Sequence, residues 1–120
     1  MNQIKKFVLS VMDYFRRPDY LYHGTSLAVI PSIQNEGLDP RYFKRAAVFF
    51  SDNMGFAALW GNLEVLVRVN TKDLDKGLLK KSIGYTGEYK YEGIIPPEVI
   101  DIMMVSLDKT EGRLRLSSLK

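Results

Sequence analysis

One histidine and the glycine after it are the first residues of this 120-residue chain that could take part in chemistry. The segment Tyr22-His23-Gly24-Thr25-Ser26 puts an imidazole, a residue without a side chain and two hydroxyls next to each other, directly after a predicted strand. Glycine lets a ligand come close to the backbone, and imidazole both donates and accepts hydrogen bonds. The segment therefore predicts ligand contacts at its centre. A half-buried histidine at a turn would give the same pattern.

Aromatic side chains cluster in the middle of the chain. The predicted strand Ala47–Ser51 holds Phe49 and Phe50, and the predicted helix after it holds Phe56 and ends at the single tryptophan, Trp60. Such rings can stack on a planar heterocycle. They can also simply fill the core, which is the more common use of large aromatic residues.

Two carboxylates lie on a later predicted strand, over residues 87–95. Glu88, Lys90 and Glu92 alternate with two tyrosines, so the three charged side chains share one face. A carboxylate at the start of a strand can stabilise a developing cation or orient a hydroxyl. The alternative is a solvated Glu–Lys–Glu ladder on an exposed face.

Composition excludes several classes of site. The chain has no cysteine and one histidine, which excludes a disulfide framework, a cysteine nucleophile and the usual multi-histidine zinc site. We therefore expect no metal. The apolar fraction of 46% and the charged fraction of 26% are those of an ordinary folded domain rather than of a disordered chain.

The formal net charge of +3 is confined to residues 1–17, which carry four basic side chains against one acidic one. The rest of the chain has thirteen of each sign. The apolar run after the two lysines of this segment is too short for a secretory signal or a membrane span. We therefore expect a cytoplasmic protein in which residues 1–17 form an amphipathic helix that packs on the domain or contacts a partner, and residues 18–120 form one domain. The apolar face of the helix would comprise Ile4, Phe7, Val8, Val11 and Phe15.

The remaining patterns predict the elements that would position these residues. Strands are expected at 20–22, 47–51, 63–69, 87–95, 99–107 and 113–116, with the strand at 99–107 central in the sheet. Helices are expected at 27–36 and at 53–60. Pro31 predicts that the first of them starts late or has a tight first turn, and Thr25 or Ser26 can cap it. The later strands follow one another without helical crossovers. The predicted fold class is therefore α+β with substantial antiparallel pairing.

Taken in order, three of these segments resemble the ADP-ribosyltransferase superfamily. They are His-Gly-Thr at 23–25, Phe-Phe-Ser-Asp at 49–52, and Glu-Tyr-x-x-x-Gly-x-Ile-Pro-Pro-Glu-x-Ile from Glu88 to Ile100. The pattern is most similar to the His–Tyr–Glu branch, which includes poly-ADP-ribose polymerases and tRNA 2′-phosphotransferases. The last segment also resembles DNA-modifying ADP-ribosyltransferase toxins. The resemblance covers roughly residues 20–105, and it implies two small, mainly antiparallel sheets around an NAD cleft.

The resemblance also implies roles for individual residues. His23 would hydrogen-bond a ribose hydroxyl of NAD, the Gly24 backbone would pair with the nicotinamide amide, and Glu88 would support the cationic sugar as nicotinamide leaves. Further contacts to NAD would come from Thr25, Phe49, Ser51, Trp60, Arg41 and Arg45, the arginines facing the pyrophosphate. The loop that holds Arg41 and Arg45 can equally be a solvated basic loop.

The chain departs from the family pattern in one important place. Phe49 stands where the branch has a tyrosine, so the ring can stack but cannot donate a hydrogen bond. The expected function is NAD-dependent transfer of ADP-ribose to a macromolecule, either protein or nucleic acid. The alternatives are a non-catalytic module that binds a nucleotide or a partner, and an RNA 2′-phosphotransferase. Glu92 is the alternative to Glu88 as the key carboxylate.

Overall fold

The computed structural model describes residues 18–41, 47–82, 87–108 and 110–119. The predicted N-terminal helix lies outside these residues, and so does Arg45. Among the described residues, no helix is long and apolar enough to cross a membrane.

Within the described ranges, seven strands form one sheet in which every neighbouring pair is antiparallel. They are β1 Tyr20–Thr25, β2 Val48–Ser51, β3 Val65–Asn70, β4 Leu79–Lys81, β5 Glu88–Tyr91, β6 Ile100–Asp108 and β7 Arg113–Ser118, in the spatial order β4-β5-β2-β1-β3-β6-β7. The predicted α+β class with antiparallel pairing is confirmed. The expectation of two separate sheets is wrong, because β1 and β2 join the two halves.

That join is narrow. Among the described residues, β1 and β2 are paired only where Tyr22 lies opposite Ser51, whereas β1 pairs with β3 along all six of its residues. Beyond Tyr22 the two strands diverge, and a gap opens between them. The sheet is therefore continuous but opens next to His23.

In the described part of the chain, two short helices pack against this sheet. α1 spans Ile30–Glu36 and follows a 3-10 turn over Leu27–Val29, which agrees with the late start predicted from Pro31. Ser26 precedes that turn without a side-chain cap, so the predicted cap is wrong. α2 spans Met54–Trp60 and begins at Asn53, whose side-chain oxygen accepts a hydrogen bond from the Phe56 amide.

The main core lies on the face of the sheet that α1 covers. It contains side chains from β1 to β6 and from α1, including Leu21, Ile33, Phe50, Val67 and Ile100, each 3% exposed or less. On the opposite face a smaller cluster of Ala57, Ala58 and Leu66 lies beneath α2. β3 alternates between the two, so that successive residues of one strand anchor both layers.

Some boundaries differ from the sequence expectation. The third strand begins at Val65 rather than at Leu63, because Asn62 and Leu63 have φ angles of 55° and 60° and form the turn after α2. β6 lies second from the edge rather than at the centre, since only β7 flanks its outer side. β4 was not predicted, because three residues bounded by lysines carry almost no periodicity.

Candidate functional site

An open cleft of about 520 Å³ lies where β1 and β2 diverge. Its lining comes from three segments of the chain, namely the end of β1, the start of β2 and the turn that ends α2. The described lining residues are His23, Gly24, Thr25, Ser26, Ala47, Val48, Phe49, Trp60, Gly61 and Asn62. Five of the predicted site residues, His23, Gly24, Thr25, Phe49 and Trp60, are therefore brought together here.

His23 spans the gap between the two strands. Its Nδ1 lies 2.8 Å from the backbone oxygen of Phe49, and its ring meets the edge of the Phe50 ring with centroids 5.8 Å apart. A carbonyl oxygen can only accept a hydrogen bond, so Nδ1 carries the proton and donates it. In the neutral ring Nε2 is then an acceptor. The packing thus fixes both the orientation and the tautomer of the imidazole.

Gly24 allows a close approach, but the group that approaches is α2. A Cβ added at Gly24 would lie 1.7 Å from the backbone oxygen of Ala57, and one added at Gly61 would lie 2.4 Å from the Thr25 amide nitrogen. The end of β1 and the end of α2 are therefore in backbone-to-backbone contact. This contact places Trp60 at the cleft. It also explains why position 24 needs a residue without a side chain, which the sequence alone did not indicate.

The two aromatic residues of the cleft differ in exposure. Phe49 is half-buried at the start of β2, and Trp60 is 55% exposed at the end of α2. An indole with half its surface in solvent lacks the contacts of a core residue. The exposed indole can stack on a flat ligand.

Ser51 and Glu88 lie beside the cleft rather than in its lining. Ser51 is 4% exposed, and its Oγ accepts a hydrogen bond of 2.9 Å from the Asn53 amide. Glu88 is half-buried and lies directly opposite Ser51 in the β2–β5 pairing. Because paired residues share a face and alternate residues along a strand do too, Glu88, Ser51 and Phe49 lie on the same side of the sheet.

Glu92 is placed differently from Glu88. It follows the last residue of β5, and its carboxylate lies 3.2 Å from Lys80 Nζ and 3.8 Å from Lys90 Nζ. Of the predicted Glu–Lys–Glu ladder, the structure therefore shows the Lys90–Glu92 ion pair. Glu88 remains the carboxylate that the sheet places next to β2.

Arg41 is paired locally. Its guanidinium contacts the Asp39 carboxylate at 2.8 Å and 3.1 Å, and its backbone amide donates to the same group. These hydrogen bonds from Arg41 lower the pKa of Asp39, and the carboxylate raises the pKa of Arg41 in return. Arg41 is not among the residues that line the cleft.

Sequence reasoning missed part of the lining. Ala47 and Val48 at the start of β2 and the Gly61-Asn62 pair after α2 were assigned only structural roles. A glycine followed by asparagine is a turn signal, and it marks the point where α2 ends against β1. The described residues contain no group of three or more histidine, cysteine, aspartate or glutamate side chains that could hold a metal ion.

Comparison with known proteins gives little information about function. No family model matches this sequence, and no curated protein matches it. Among solved structures, a chain named EcPltA is similar with a TM-score of 0.53 at 9% sequence identity, and the match covers 82% of each chain. At this identity the likeness shows a shared fold alone.

Proposed function

We propose that this protein is an ADP-ribosyltransferase that uses NAD as co-substrate and transfers ADP-ribose to a macromolecular acceptor. The observation that carries the proposal is the convergence of His23, Gly24, Thr25, Phe49 and Trp60 on one cleft. These residues come from three separate segments of the chain. They are residues for which the resemblance implies contacts with NAD.

The chemistry of the cleft suits a nucleotide sugar. The fixed tautomer of His23 leaves Nε2 as an acceptor in the neutral ring, which fits the hydroxyl of a ribose. Phe49 offers a flat apolar surface to a nicotinamide ring. Where β1 has diverged from β2, the backbone groups on the β2 side of β1 face the cleft. The carboxamide of nicotinamide would form hydrogen bonds with these groups.

Glu88 has the electrostatic role in this proposal. The bond between nicotinamide and the ribose C1 breaks, the electron pair leaves with nicotinamide, and the sugar becomes cationic. A carboxylate placed beside that carbon stabilises the cation, and the acceptor nucleophile then adds to C1 and loses its proton. Glu88 lies one strand beyond Ser51 on the same side of the sheet as Phe49, so it can reach the cleft only along that face.

A second function is favoured by two observations. Phe49 carries no hydroxyl, and Glu88 is outside the lining of the cleft. A module that binds a nucleotide without reacting it needs neither group. An RNA 2′-phosphotransferase would use the same cleft. This third function differs from the first in its substrate, a 2′-phosphorylated RNA.

The experiment measures release of nicotinamide from labelled NAD, together with labelling of candidate protein and nucleic-acid acceptors. We expect wild type to release nicotinamide, Glu88→Gln to lose at least about tenfold in rate while still binding NAD, and His23→Ala to weaken NAD binding. Glu92→Gln is the matched control, because it removes the same charge from a carboxylate held by lysines.

The outcomes separate the candidate functions. NAD binding without nicotinamide release favours the non-catalytic module, and absence of NAD binding contradicts both. Loss of activity in Glu92→Gln with an active Glu88→Gln would show that the carboxylate has been misassigned. Removal of phosphate from a 2′-phosphorylated RNA would favour the third function.

A further inference from the structure

The hairpin of β6 and β7 has an apolar face on the same side of the sheet as α2. Met103, Val105 and Leu107 alternate along β6, and their paired positions on β7 include Leu116 opposite Val105 and Leu114 opposite Leu107. Met103 and Val105 pack against the cluster beneath α2. The face therefore continues that cluster outward to the edge of the sheet.

The outer part of this face is exposed. Leu107, Leu114 and Leu116 are 53%, 41% and 38% exposed, respectively. On the other face of the hairpin the outer positions are polar, and there Arg115 forms an ion pair of 2.8 Å with Asp108. The inner positions of that face, Ile102 and Met104, belong to the main core. A sheet that is apolar on one side and charged on the other is typical of one whose apolar side is covered.

We propose that residues 1–17 cover the part of this face at Met103, Val105 and Leu116 as an amphipathic helix packed beside α2. The segment supplies the matching chemistry, because five apolar side chains recur at helical spacing over residues 4–15. At that spacing all five charged residues of the segment fall outside the apolar stripe and would face solvent. This proposal is independent of the proposed function.

The segment joins the described part of the chain at a suitable place. Thr71 Oγ1 donates to the Pro18 oxygen at 2.8 Å, and the Thr71 amide donates to the Asp19 oxygen at 2.9 Å. These contacts fix the start of β1 at the end of β3, which is the neighbour of β6. Pro18 disfavours helical conformation in the residue before it, so a helix over this segment would end near Arg16.

The distances agree with this arrangement. Tyr20 is opposite Asn70, and Val105 lies six residues further along the sheet, which corresponds to about 20 Å. A helix over residues 2–16 is about 22 Å long. Residues 17–19, if extended, span up to about 10 Å, which is about the distance between a sheet and the layer packed on it. A helix running back from Pro18 would therefore place Ile4 near the level of Val105 and Leu116.

Tethering favours this occupant over a separate one. A segment attached to the domain by a short linker has an effective concentration in the millimolar range, above that of a free partner or of a second copy in dilute solution. A second copy or another protein would have to displace it.

The test uses the full chain, which contains no native cysteine. Ile4→Cys is combined with Leu116→Cys, and the control combines Ile4→Cys with Ser117→Cys, the next residue of β7, which points to the opposite face. Each double variant is oxidised, and the mass of the crosslinked product is measured. We expect a disulfide within one chain for Leu116→Cys and little for Ser117→Cys.

A second measurement supports the first. Val8→Asp places a charge on the apolar stripe and is expected to lower Tm by about 4 °C or more, whereas Lys6→Asp on the opposite side of the segment leaves Tm nearly unchanged. The proposal requires both results. No crosslink, equal crosslinking at the two positions, or equal Tm values for the two variants would overturn it, and a disulfide between chains would show that a second copy covers the face instead.

Discussion

His23 shows how one contact converts a residue type into a defined chemical group. An isolated histidine in solution exists in two neutral tautomers and rotates freely. Here the Phe49 carbonyl accepts a hydrogen bond from Nδ1, and the Phe50 ring limits rotation. The same contact ties β1 to β2 across the gap where the backbone ladder has stopped. One side chain therefore helps to hold the cleft and contributes to its lining.

Gly24 is the residue whose replacement tests the cleft most directly. In Gly24→Ala the new methyl group would overlap the Ala57 carbonyl, a backbone atom that can move only if α2 moves. We expect a loss of at least about 2 kcal/mol in the free energy of unfolding, measured by denaturant titration. Gly55→Ala is the control, because its nearest contact is the Asn53 side chain at 3.3 Å and alanine favours helix. Equal losses in the two variants would contradict the packing described for β1 and α2.

At the scale of elements, the site depends on strands that are close in space and far apart in sequence. β5 reaches β2 because the chain between β3 and β5 is folded back by the turn at Asp75 and by β4. Within that turn the Asp75 amide donates to the Tyr91 hydroxyl at 3.1 Å. Tyr91 belongs to β5 and is 5% exposed, so its hydroxyl links the turn to the strand that carries Glu88.

Removing that hydroxyl is expected to loosen the turn. Tyr91→Phe keeps the buried ring but leaves the Asp75 amide without its acceptor, and we expect a loss of about 1 kcal/mol in the free energy of unfolding. Hydrogen exchange at the Asp75 amide should become faster. Tyr20→Phe is the control, since that ring is 39% exposed on β1 and its contact with Arg68 is through the ring face. A Tyr91→Phe protein as stable as wild type would show that the hydrogen bond adds nothing to stability.

At the scale of the whole molecule, one core joins both halves of the sheet. The main cluster takes side chains from β1 to β6, so it extends across the narrow join between β1 and β2. Phe50 is fully buried within it, on the face opposite α2. The described domain should therefore unfold as one unit despite the gap in its backbone pairing.

This expectation can be checked with Trp60, the single tryptophan. Phe50→Leu removes part of a buried ring and should cost about 2 kcal/mol in the free energy of unfolding. The denaturation midpoint should fall by the same amount whether it is followed by Trp60 fluorescence, which reports on α2, or by far-ultraviolet circular dichroism. Phe56→Leu, at a side chain 58% exposed, should shift the midpoint little. Midpoints that separate in Phe50→Leu would show that the two halves unfold independently.

Local chemistry in the sequence determined most of the elements. Alternation predicted β3 and β7, the periodic apolar residues with Pro31 predicted the late start of α1, and the residues around Asn53 and Gly61 predicted the ends of α2. Residue type also selected the groups that line the cleft. These properties depend on neighbours a few positions apart, so a single sequence contains them.

Only the tertiary structure decided how those groups meet. It showed that Gly24 makes room for α2, that Arg41 is held by Asp39, and that Glu88 lies beside the cleft while Glu92 pairs with lysines. It also replaced two expected sheets by one sheet with a narrow join. Strand order, the point where two strands part and the partner of a charged side chain all depend on contacts between distant parts of the chain. Periodicity cannot encode such contacts, because it repeats every two to four residues and carries no record of which strand lies next to which.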